Sequence, residues 1–301
     1  MADVQNIPEV TDFPGELSDD HLAQYQEHGY LAFENVLTDG EVEDARAALT
    51  EVTINLMKMA KRGEAKIRQR DDATQNYAGV QVIKPDTGFG IHFEAGLDPL
   101  ELAPEEAELK FRKLHGYHQE HPAFIKLSLD HPNIIGTIRQ VIGEEVVLKG
   151  AMALSKPPFI GSEKPWHQDN AYFNWLPLGK VATAWIALDD ATVENGCMHV
   201  IPGGHTLGAL KHYHTIDCEI LPDRIDKTQA VPLPMKAGGV MFFSAMLPHQ
   251  TPPNQTSGRR RALQLQYRGV STVEVSKEEF GKVFAEADGT PASCALAHEN
   301  G

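Results

Sequence analysis

Two histidines and one aspartate are the residues of this chain whose types and spacing best suit metal chemistry. One residue separates His167 from Asp169, and His249 follows much later, after an apolar run that reads as a strand. In an extended segment, residues i and i+2 point to the same side, so the side chains of His167 and Asp169 would converge on one point. Two imidazoles and one carboxylate on one face leave half of an octahedral metal's positions free, which is the arrangement expected for a non-haem Fe(II) oxygenase.

An arginine follows the last candidate ligand at a short distance in the chain. The guanidinium of Arg260 could anchor a carboxylate co-substrate beside the metal, because it presents paired N–H donors that match a carboxylate. Arg259 and Arg261 flank it and stay open as substitutes. On a strand, however, those two side chains would point to the face opposite to that of Arg260.

The chain contains two further His-x-acid triplets, at His92 and at His118, and about two are expected by chance from its 14 histidines and 42 acidic residues. His118 lies in the strongly polar segment 115–121, which is most simply a solvated loop. His92 follows two glycines and could face a pocket, but it has no matched distant partner. On spacing alone, the reading of the three candidate ligands as ordinary loop histidines and an aspartate on a β-sandwich also stays open.

The composition limits the classes of partner. The chain has 42 Asp and Glu against 27 Lys and Arg, for a formal net charge of −15. A surface of this sign repels phosphate, so we expect neither nucleic acid nor an anionic membrane as a partner. The apolar fraction of 42% allows a sizeable core. A small molecule is the expected substrate.

The cysteines and the N-terminal segment favour a cytoplasmic protein. The three cysteines, Cys197, Cys218 and Cys294, are odd in number and share no metal-ligand or disulfide spacing, so we expect reduced thiols. The first residues lack the basic start and apolar run of a signal peptide. No segment approaches the ~20 apolar residues that a membrane helix requires.

The order of elements predicts helices first and strands later. Apolar residues recur at intervals of three and four over 41–61, which indicates a helix packed on a core. We predict further helices over 104–114 and 133–142, a polar loop over 62–79, and a flexible tail over 285–301. Short strands separated by turns are predicted over 146–154, 181–188, 198–201, 230–232, 240–243 and 262–270. The chain, 1–301, is thus expected to be a single domain with a helical part over about 17–145 and a β-rich core over about 146–270.

The segment 166–213 resembles the phytanoyl-CoA dioxygenase family, a branch of the Fe(II)/2-oxoglutarate oxygenases. The similarity extends beyond the candidate ligands and covers most of residues 19–270. The motifs that carry it are Trp166-His167-Gln168-Asp169, Pro177-Leu178-Gly179, Ala184-Trp185-Ile186-Ala187-Leu188-Asp189-Asp190, Glu194-Asn195-Gly196-Cys197-Met198, Ile201-Pro202-Gly203-Gly204-His205 and the N-terminal run Tyr25-Gln26-Glu27-His28-Gly29-Tyr30-Leu31.

The resemblance implies a mainly β fold, a double-stranded β-helix of the jelly-roll or cupin-like type flanked by N-terminal and inserted helices. It also implies Fe(II) as cofactor, with 2-oxoglutarate and O2 as co-substrates. The implied iron ligands are His167, Asp169 and His249, and the implied partner of the distal carboxylate of 2-oxoglutarate is Arg260. The residues implied to line or hold the co-substrate pocket are Trp185, Met152 and Lys113. Core packing is an alternative role for Trp185 and Met152, and Arg112 is an alternative register for Lys113.

The resemblance further implies hydroxylation of an aliphatic C–H bond of a small molecule, with release of succinate and CO2. Relatives that halogenate replace the ligating carboxylate with a small residue, and Asp169 is present here. Desaturation or ring closure stays open. Two alternatives from other classes are a cupin-like metalloenzyme that does not use 2-oxoglutarate and a non-catalytic binding protein with the same fold.

Overall fold

The computed structural model describes residues 7–70, 79–214 and 217–293. The α-helices of these residues are Asp19–His28 (α1), Asp39–Lys61 (α2), Pro104–Glu108 (α3), Pro122–Ile125 (α4), Pro132–Ile142 (α5) and Lys277–Val283 (α6). A π-helical turn, Lys126–Asp130, continues α4. No helix in the described ranges is both long and apolar enough to cross a membrane.

Most strands belong to two sheets. The bounds of the strands in chain order are Thr11–Asp12 (β1), Tyr30–Glu34 (β2), Lys66–Arg70 (β3), Gly79–Ile83 (β4), Gly90–Phe93 (β5), Phe111–His115 (β6), Val146–Lys156 (β7), Lys164–His167 (β8), Trp175–Leu176 (β9), Val181–Ala187 (β10), Met198–Val200 (β11), His212–His214 (β12), Cys218–Ile220 (β13), Val231–Leu233 (β14), Val240–Ser244 (β15), His249–Thr251 (β16), Arg260–Gly269 (β17) and Val273–Glu274 (β18). The major sheet has the order β1-β2-β15-β10-β17-β7-β6-β5-β4-β3, and the minor sheet has the order β14-β11-β16-β8. Short pairs form between β12 and β13 and between β18 and β9.

Every residue of β10 is buried, because the major sheet is covered on both faces. Trp185 and Ala187 pack in a core that also contains residues of the minor sheet. Ala184 and Ile186 point the other way, into a second core that includes Leu49 of α2. Successive side chains of a strand alternate between faces, so this one strand separates the helical layer from the space between the sheets.

The two sheets face each other and enclose that space. Strands β10, β15 and β17 supply its floor, and β11, β14 and β16 supply its cover. The antiparallel strands of both sheets form the double-stranded β-helix that the resemblance implies. Helices α2 and α5 lie on the outer face of the major sheet, where their buried apolar residues meet it.

The helix boundaries agree with their sequence signals. The Thr38 side chain caps α2 by accepting a hydrogen bond from the Glu41 backbone N–H. The Glu41 carboxylate in turn accepts a hydrogen bond from the Thr38 backbone N–H. The predicted helix over 41–61 and the helix over 133–142 are both confirmed, as α2 and α5.

The helix predicted over 104–114 is wrong in its second half. Helix α3 ends at Glu108, and Phe111–His115 is strand β6 of the major sheet. Phe111 and Leu114 are both buried at a spacing of three, which mimics a helical stripe. Hydrogen bonding to β5 and β7 overrides that local signal, because an isolated helical turn cannot compete with two strand neighbours.

The predicted helical part, over about 17–145, also contains strands. Lys66–Arg70 is strand β3, where a loop over 62–79 was expected, and residues 71–78 lie outside the described ranges. Strands β2 to β6 join the same sheet as β7, β10, β15 and β17. We therefore propose that the helical part and the β-rich core form one domain.

Two expectations about the C-terminal segment and the cysteines need correction. Within the tail predicted over 285–301, Ala292 is buried and its carbonyl accepts a hydrogen bond from the His212 backbone N–H; residues 294–301 lie outside the described ranges.

Cys218 is disulfide-bonded, so the expectation of reduced thiols is wrong for this residue, whereas Cys197 is a free, buried thiol. A cytoplasmic location therefore loses the support of the cysteines and stays a prediction.

Truncating Leu49 tests the outer core. Leu49 is fully buried on α2, so Leu49→Ala removes apolar contacts and leaves a cavity, and we expect a loss of about 2–5 kcal/mol of unfolding free energy. Leu207→Ala is the matched control, because Leu207 is 56% exposed and its truncation should change stability by less than about 0.5 kcal/mol. Urea unfolding of both variants measures the difference, and equal effects would contradict this packing.

Candidate metal centre and co-substrate pocket

The register of the minor sheet brings two histidines together. His249, the first residue of β16, lies directly opposite His167, the last residue of β8. Their ring centroids are 4.1 Å apart. Asp169 follows β8 in a tight 3-10 turn, and its Oδ1 lies 3.6 Å from Nε2 of His167 and 3.8 Å from Nε2 of His249. Strand pairing thus places the three side chains around a common point.

The three side chains are buried and can act as metal ligands together. Each offers one ligand atom, and these atoms lie within 4.8 Å of one another, the one such group among the described residues. The exposed fractions of His167, Asp169 and His249 are 4%, 2% and 2%. A buried group of two nitrogen donors and one oxygen donor at this spacing suits a divalent transition metal.

Backbone carbonyls fix the orientation of both imidazole rings. Nδ1 of His167 donates to the Pro165 carbonyl at 2.8 Å, and Nδ1 of His249 donates to the Leu247 carbonyl at 2.9 Å. A neutral imidazole that donates through Nδ1 has a lone pair on Nε2, the atom that faces Asp169. Burial lowers the pKa of His167 to about 3 and also lowers the pKa of His249, so both rings are neutral at physiological pH.

The major sheet holds the other oxygen of the aspartate. Oδ2 of Asp169 accepts from Thr183 Oγ1 at 2.8 Å and from Nε2 of Gln264 and Gln266, each at 3.2 Å. Burial by itself raises the pKa of Asp169, but the contacts with the His167 and His249 rings and the hydrogen bond from Thr183 hold it well below its usual range. The ionised carboxylate therefore keeps Oδ1 directed towards the two histidines.

Sequence reasoning missed Thr183, Gln264 and Gln266, although a signal for them exists. The two glutamines have the same parity as Arg260 along β17, and the apolar Leu263 and Leu265 alternate with them. Polar side chains at alternate positions of an otherwise buried strand indicate a shared polar target. Gly150 lies opposite Gln266, and an added Cβ would lie 3.0 Å from its Oε1, so a glycine leaves room for the amide.

Arg260 is a buried cation with unused donors. It is 1% exposed, and its Nε and Nη1 have no hydrogen-bond partner among the described residues. Burial lowers its pKa to about 10, so the guanidinium stays charged at neutral pH. A buried charge without a counter-ion is costly, and a carboxylate bound beside it would remove that cost. The residues present therefore fit a co-substrate with a distal carboxylate.

Arg259 and Arg261 point away from the cavity, as expected for residues next to Arg260 along an extended chain. Arg259 Nη1 donates to both carboxylate oxygens of Glu108 at 2.9 Å. Arg261 forms a two-point pair with Asp189 at 2.8 and 2.7 Å. Neither is available as a substitute for Arg260.

Trp185, Met152 and Lys113 line the same cavity, which has a volume of about 500 Å³ and includes the metal-ligand group and Arg260. Trp185 and Met152 flank Gln264 across three strands, and the Cζ of Arg260 lies 5.4 Å from the Trp185 ring. The indole Nε1 is buried without a hydrogen-bond partner in the described ranges. Trp185 also packs in the core between the sheets, so this side chain both lines the cavity and contributes to the core.

Lys113 lies next to the end of the cavity that holds Arg260. It pairs with Leu154 on β7, two residues from Lys156, which lies opposite Arg260. Burial lowers the pKa of Lys113 to about 8. Arg112, the alternative to Lys113, also lines the cavity, and its guanidinium pairs with Glu94 at 3.0 Å.

The segment 115–121 is not the solvated loop that its polarity predicted. Tyr117 is fully buried, and His115 and His118 line the cavity. His92 faces the cavity too, and its Nε2 lies 2.9 Å from Nδ1 of His115. These histidines gather because β5 and β6 are neighbours in the major sheet, a pairing that the spacing in the sequence does not reveal.

The comparisons with known proteins agree with this geometry. The sequence profile of the phytanoyl-CoA dioxygenase (PhyH) family matches residues 25–262. Phytanoyl-CoA dioxygenase domain-containing protein 1 of Rattus norvegicus is 27% identical over 260 residues, which cover 82% of this chain and 88% of the rat protein.

Solved structures share the fold. EvdO2 from Micromonospora carbonacea var. aurantiaca complexed with 2-oxoglutarate has a TM-score of 0.61 at 23% identity, covering 88% of this chain and 96% of that chain. The epimerase SnoN in complex with Fe3+, alpha ketoglutarate and nogalamycin RO has a TM-score of 0.59 at 19% identity, covering 86% and 87%. The chain belongs to the phytanoyl-CoA dioxygenase family and is a non-haem iron, 2-oxoglutarate-dependent dioxygenase.

Proposed function

We propose that this protein hydroxylates an aliphatic C–H bond of a small-molecule substrate, with His167, Asp169 and His249 as the iron ligands and Arg260 as the anchor of 2-oxoglutarate. The observation that carries the proposal is the buried guanidinium with unused donors in the same cavity as the three ligands. A cation of that kind, beside a group of metal ligands, matches a chelating co-substrate with a second, distal carboxylate.

Iron held by His167, Asp169 and His249 would supply the oxidising chemistry, with O2 as the oxidant and 2-oxoglutarate as the co-substrate that leaves as succinate and CO2. The chain's own residues supply orientation and charge. Arg260 neutralises the distal carboxylate by two parallel N–H donors, and Trp185 contributes the apolar wall beside it. In the low-dielectric cavity these contacts are stronger than they would be in water.

The hydrogen bonds behind the ligands set their direction. The Pro165 and Leu247 carbonyls fix the two rings, and Thr183 with the two glutamines fixes the carboxylate. Held in this way, the three side chains would bind the metal from one side of the cavity. The carboxylate of Asp169 favours hydroxylation over halogenation, which needs a small residue at that position.

The alternatives that the sequence left open find less support. A metalloenzyme that does not use 2-oxoglutarate would leave the buried charge of Arg260 without a role, and a non-catalytic binding protein would not require three ligands of this geometry. Succinate release coupled to oxygen consumption, across a panel of small molecules, tests the proposal. A product that gains one oxygen atom from O2 supports hydroxylation, whereas a product that loses hydrogen or closes a ring contradicts it.

Replacing one histidine ligand tests the metal centre. We expect His249→Ala to weaken Fe(II) binding by about 100-fold or more, because two donors cannot hold the metal on a buried face. His199→Ala, on neighbouring strand β11 and outside the ligand group, is the control. Calorimetric titration with Fe(II) under anaerobic conditions measures both affinities. Unchanged affinity in His249→Ala would refute the ligand assignment.

Replacing Arg260 tests the co-substrate pocket. Arg260→Lys keeps the positive charge but loses the paired N–H donors of the guanidinium, and we expect the KM for 2-oxoglutarate to rise by roughly tenfold to 100-fold. The same substitution at the neighbouring residue, Arg259→Lys, should leave KM within about twofold, since Arg259 faces Glu108. Succinate formation as a function of co-substrate concentration gives both values. A normal KM in Arg260→Lys would show that the guanidinium does not bind 2-oxoglutarate.

Removing one hydroxyl tests the positioning of Asp169. Thr183→Val keeps the shape but deletes the donor to Oδ2, so we expect Fe(II) affinity or turnover to fall by about 10–100-fold, with Thr183→Ser restoring it. Thr53→Val is the matched control, because Thr53 is also buried but donates to Leu49 within α2. If both variants behave alike, the effect is one of folding and the positioning role is wrong.

A further inference from the structure

A β-bulge in strand β7 turns one lysine towards the cavity. Gln266 of β17 pairs with Gly150, and the next residue, Tyr267, pairs with Leu148, so Lys149 is the extra residue of the bulge. Bulges bend the strand locally and re-aim a side chain, and they occur often beside active sites. Lys149 lines the same cavity as the ligand group.

The ammonium of Lys149 has no ion-pair partner among the described residues. It lies 4.3 Å from the centroid of the Phe173 ring, and it forms no hydrogen bond or ion pair with the described residues. Two other lysines of the cavity have hydrogen-bond partners. Lys164 pairs with Asp217, and Lys156 donates to the Ser162 and Thr251 carbonyls.

Lys149 lies at the end of the cavity opposite to Arg260. Gln266 follows Arg260 by six positions along β17, which at about 3.3 Å per residue is roughly 20 Å. Gln264 and Gln266 both donate to Asp169, so the ligand group lies over the half of β17 that is nearer to Gln266. A co-substrate anchored at Arg260 and at the metal therefore leaves the end of the cavity at Lys149 for the substrate.

The surroundings of Lys149 favour an anion. Burial lowers its pKa, and the nearby Arg268 cation adds to the effect, while the Glu274 and Asp169 carboxylates oppose it. A partly desolvated ammonium without a counter-ion gains more from a bound anion than an exposed one does. The Phe173 ring and the side chain of Met152 supply apolar walls in the same cavity.

We infer that Lys149 binds an anionic head group of the substrate, a carboxylate or a phosphate monoester, on a small molecule whose remaining body is apolar. The inference rests on the proposed function, because it assigns the rest of the cavity to the metal and 2-oxoglutarate. The head group fixed at Lys149 orients the molecule along the cavity and presents a C–H bond at the metal centre. A lysine suits both head groups, because its ammonium acts as a compact charge rather than as a planar fork.

Matched ligands test the charge preference. The probes are 3-phenylpropanoate and 3-phenylpropyl phosphate, compared with neutral 3-phenylpropanamide, and calorimetry measures their affinity for the full chain without oxygen. The titrations use both metal-free protein and protein loaded with Fe(II) and 2-oxoglutarate. We expect at least one anionic probe to bind roughly tenfold or more tightly than the amide, and the tighter of the two identifies the head group.

Variants assign that preference to the lysine. Lys149→Gln should abolish the difference between anion and amide, and Lys149→Arg should retain it. Lys282→Gln is the control, because Lys282 is 70% exposed and pairs with Glu278 at 2.7 Å. Equal binding of anion and amide by the wild-type protein, or a preference that survives in Lys149→Gln, would overturn the inference.

The affinity for 2-oxoglutarate separates this inference from the proposed function. It should be the same in the wild-type protein and in Lys149→Gln, and a weaker value in the variant would mean that Lys149 binds the co-substrate, which also overturns the inference. A wild-type protein that binds neither Fe(II) nor 2-oxoglutarate would refute the proposed function instead. The titrations on metal-free protein would still decide the role of Lys149.

Discussion

The site depends on one buried carboxylate that joins the two sheets. Oδ2 of Asp169 accepts three hydrogen bonds from β10 and β17 of the major sheet, and Oδ1 faces the paired histidines of the minor sheet. A buried ion with this many donors is stabilised in its charged form, whereas the loss of one donor leaves part of its desolvation cost unmet. The separation of the sheets and the direction of the ligands are therefore set by the same group.

The second constraint is a buried positive charge that has no counter-ion in the described part of the chain. Arg260 is buried with unused donors, while its two sequence neighbours have complete ion pairs on the opposite face. Burial of this guanidinium is a local cost in free energy, which the dicarboxylate that we propose as its ligand would remove. The binding of co-substrate should accordingly stabilise the fold as well as supply the reactant. Lys149, at the other end of the cavity, is likewise a cation without an ion-pair partner among the described residues, in a more exposed position.

Several elements of the fold could be read from local sequence because their signals are local. The capping box at Thr38 and the apolar stripe after it identify α2, and continuous apolar runs identify β10 and β15. Strands β3 and β6 could not be recognised in this way. Their residues are charged or spaced like a helix, and they are strands because a neighbouring strand completes their hydrogen bonds. Such pairing is non-local and leaves little trace in a short window of sequence.

The sequence by itself indicated the type of chemistry. It contains a histidine and an aspartate at i and i+2, a second histidine after an apolar strand, an arginine whose side chain would point to the face opposite to that of its two neighbours, and the motifs of a family. The sequence could indicate this because parity along a strand is a property of the backbone alone. Only the tertiary structure decided which other side chains surround the candidate metal ligands. The register of β8 against β16 brings His249 to His167, the neighbouring positions of β10 and β17 give Asp169 its three donors, and a bulge directs Lys149 into the cavity. These contacts join residues far apart in the chain, and their geometry follows from sheet order and register rather than from spacing.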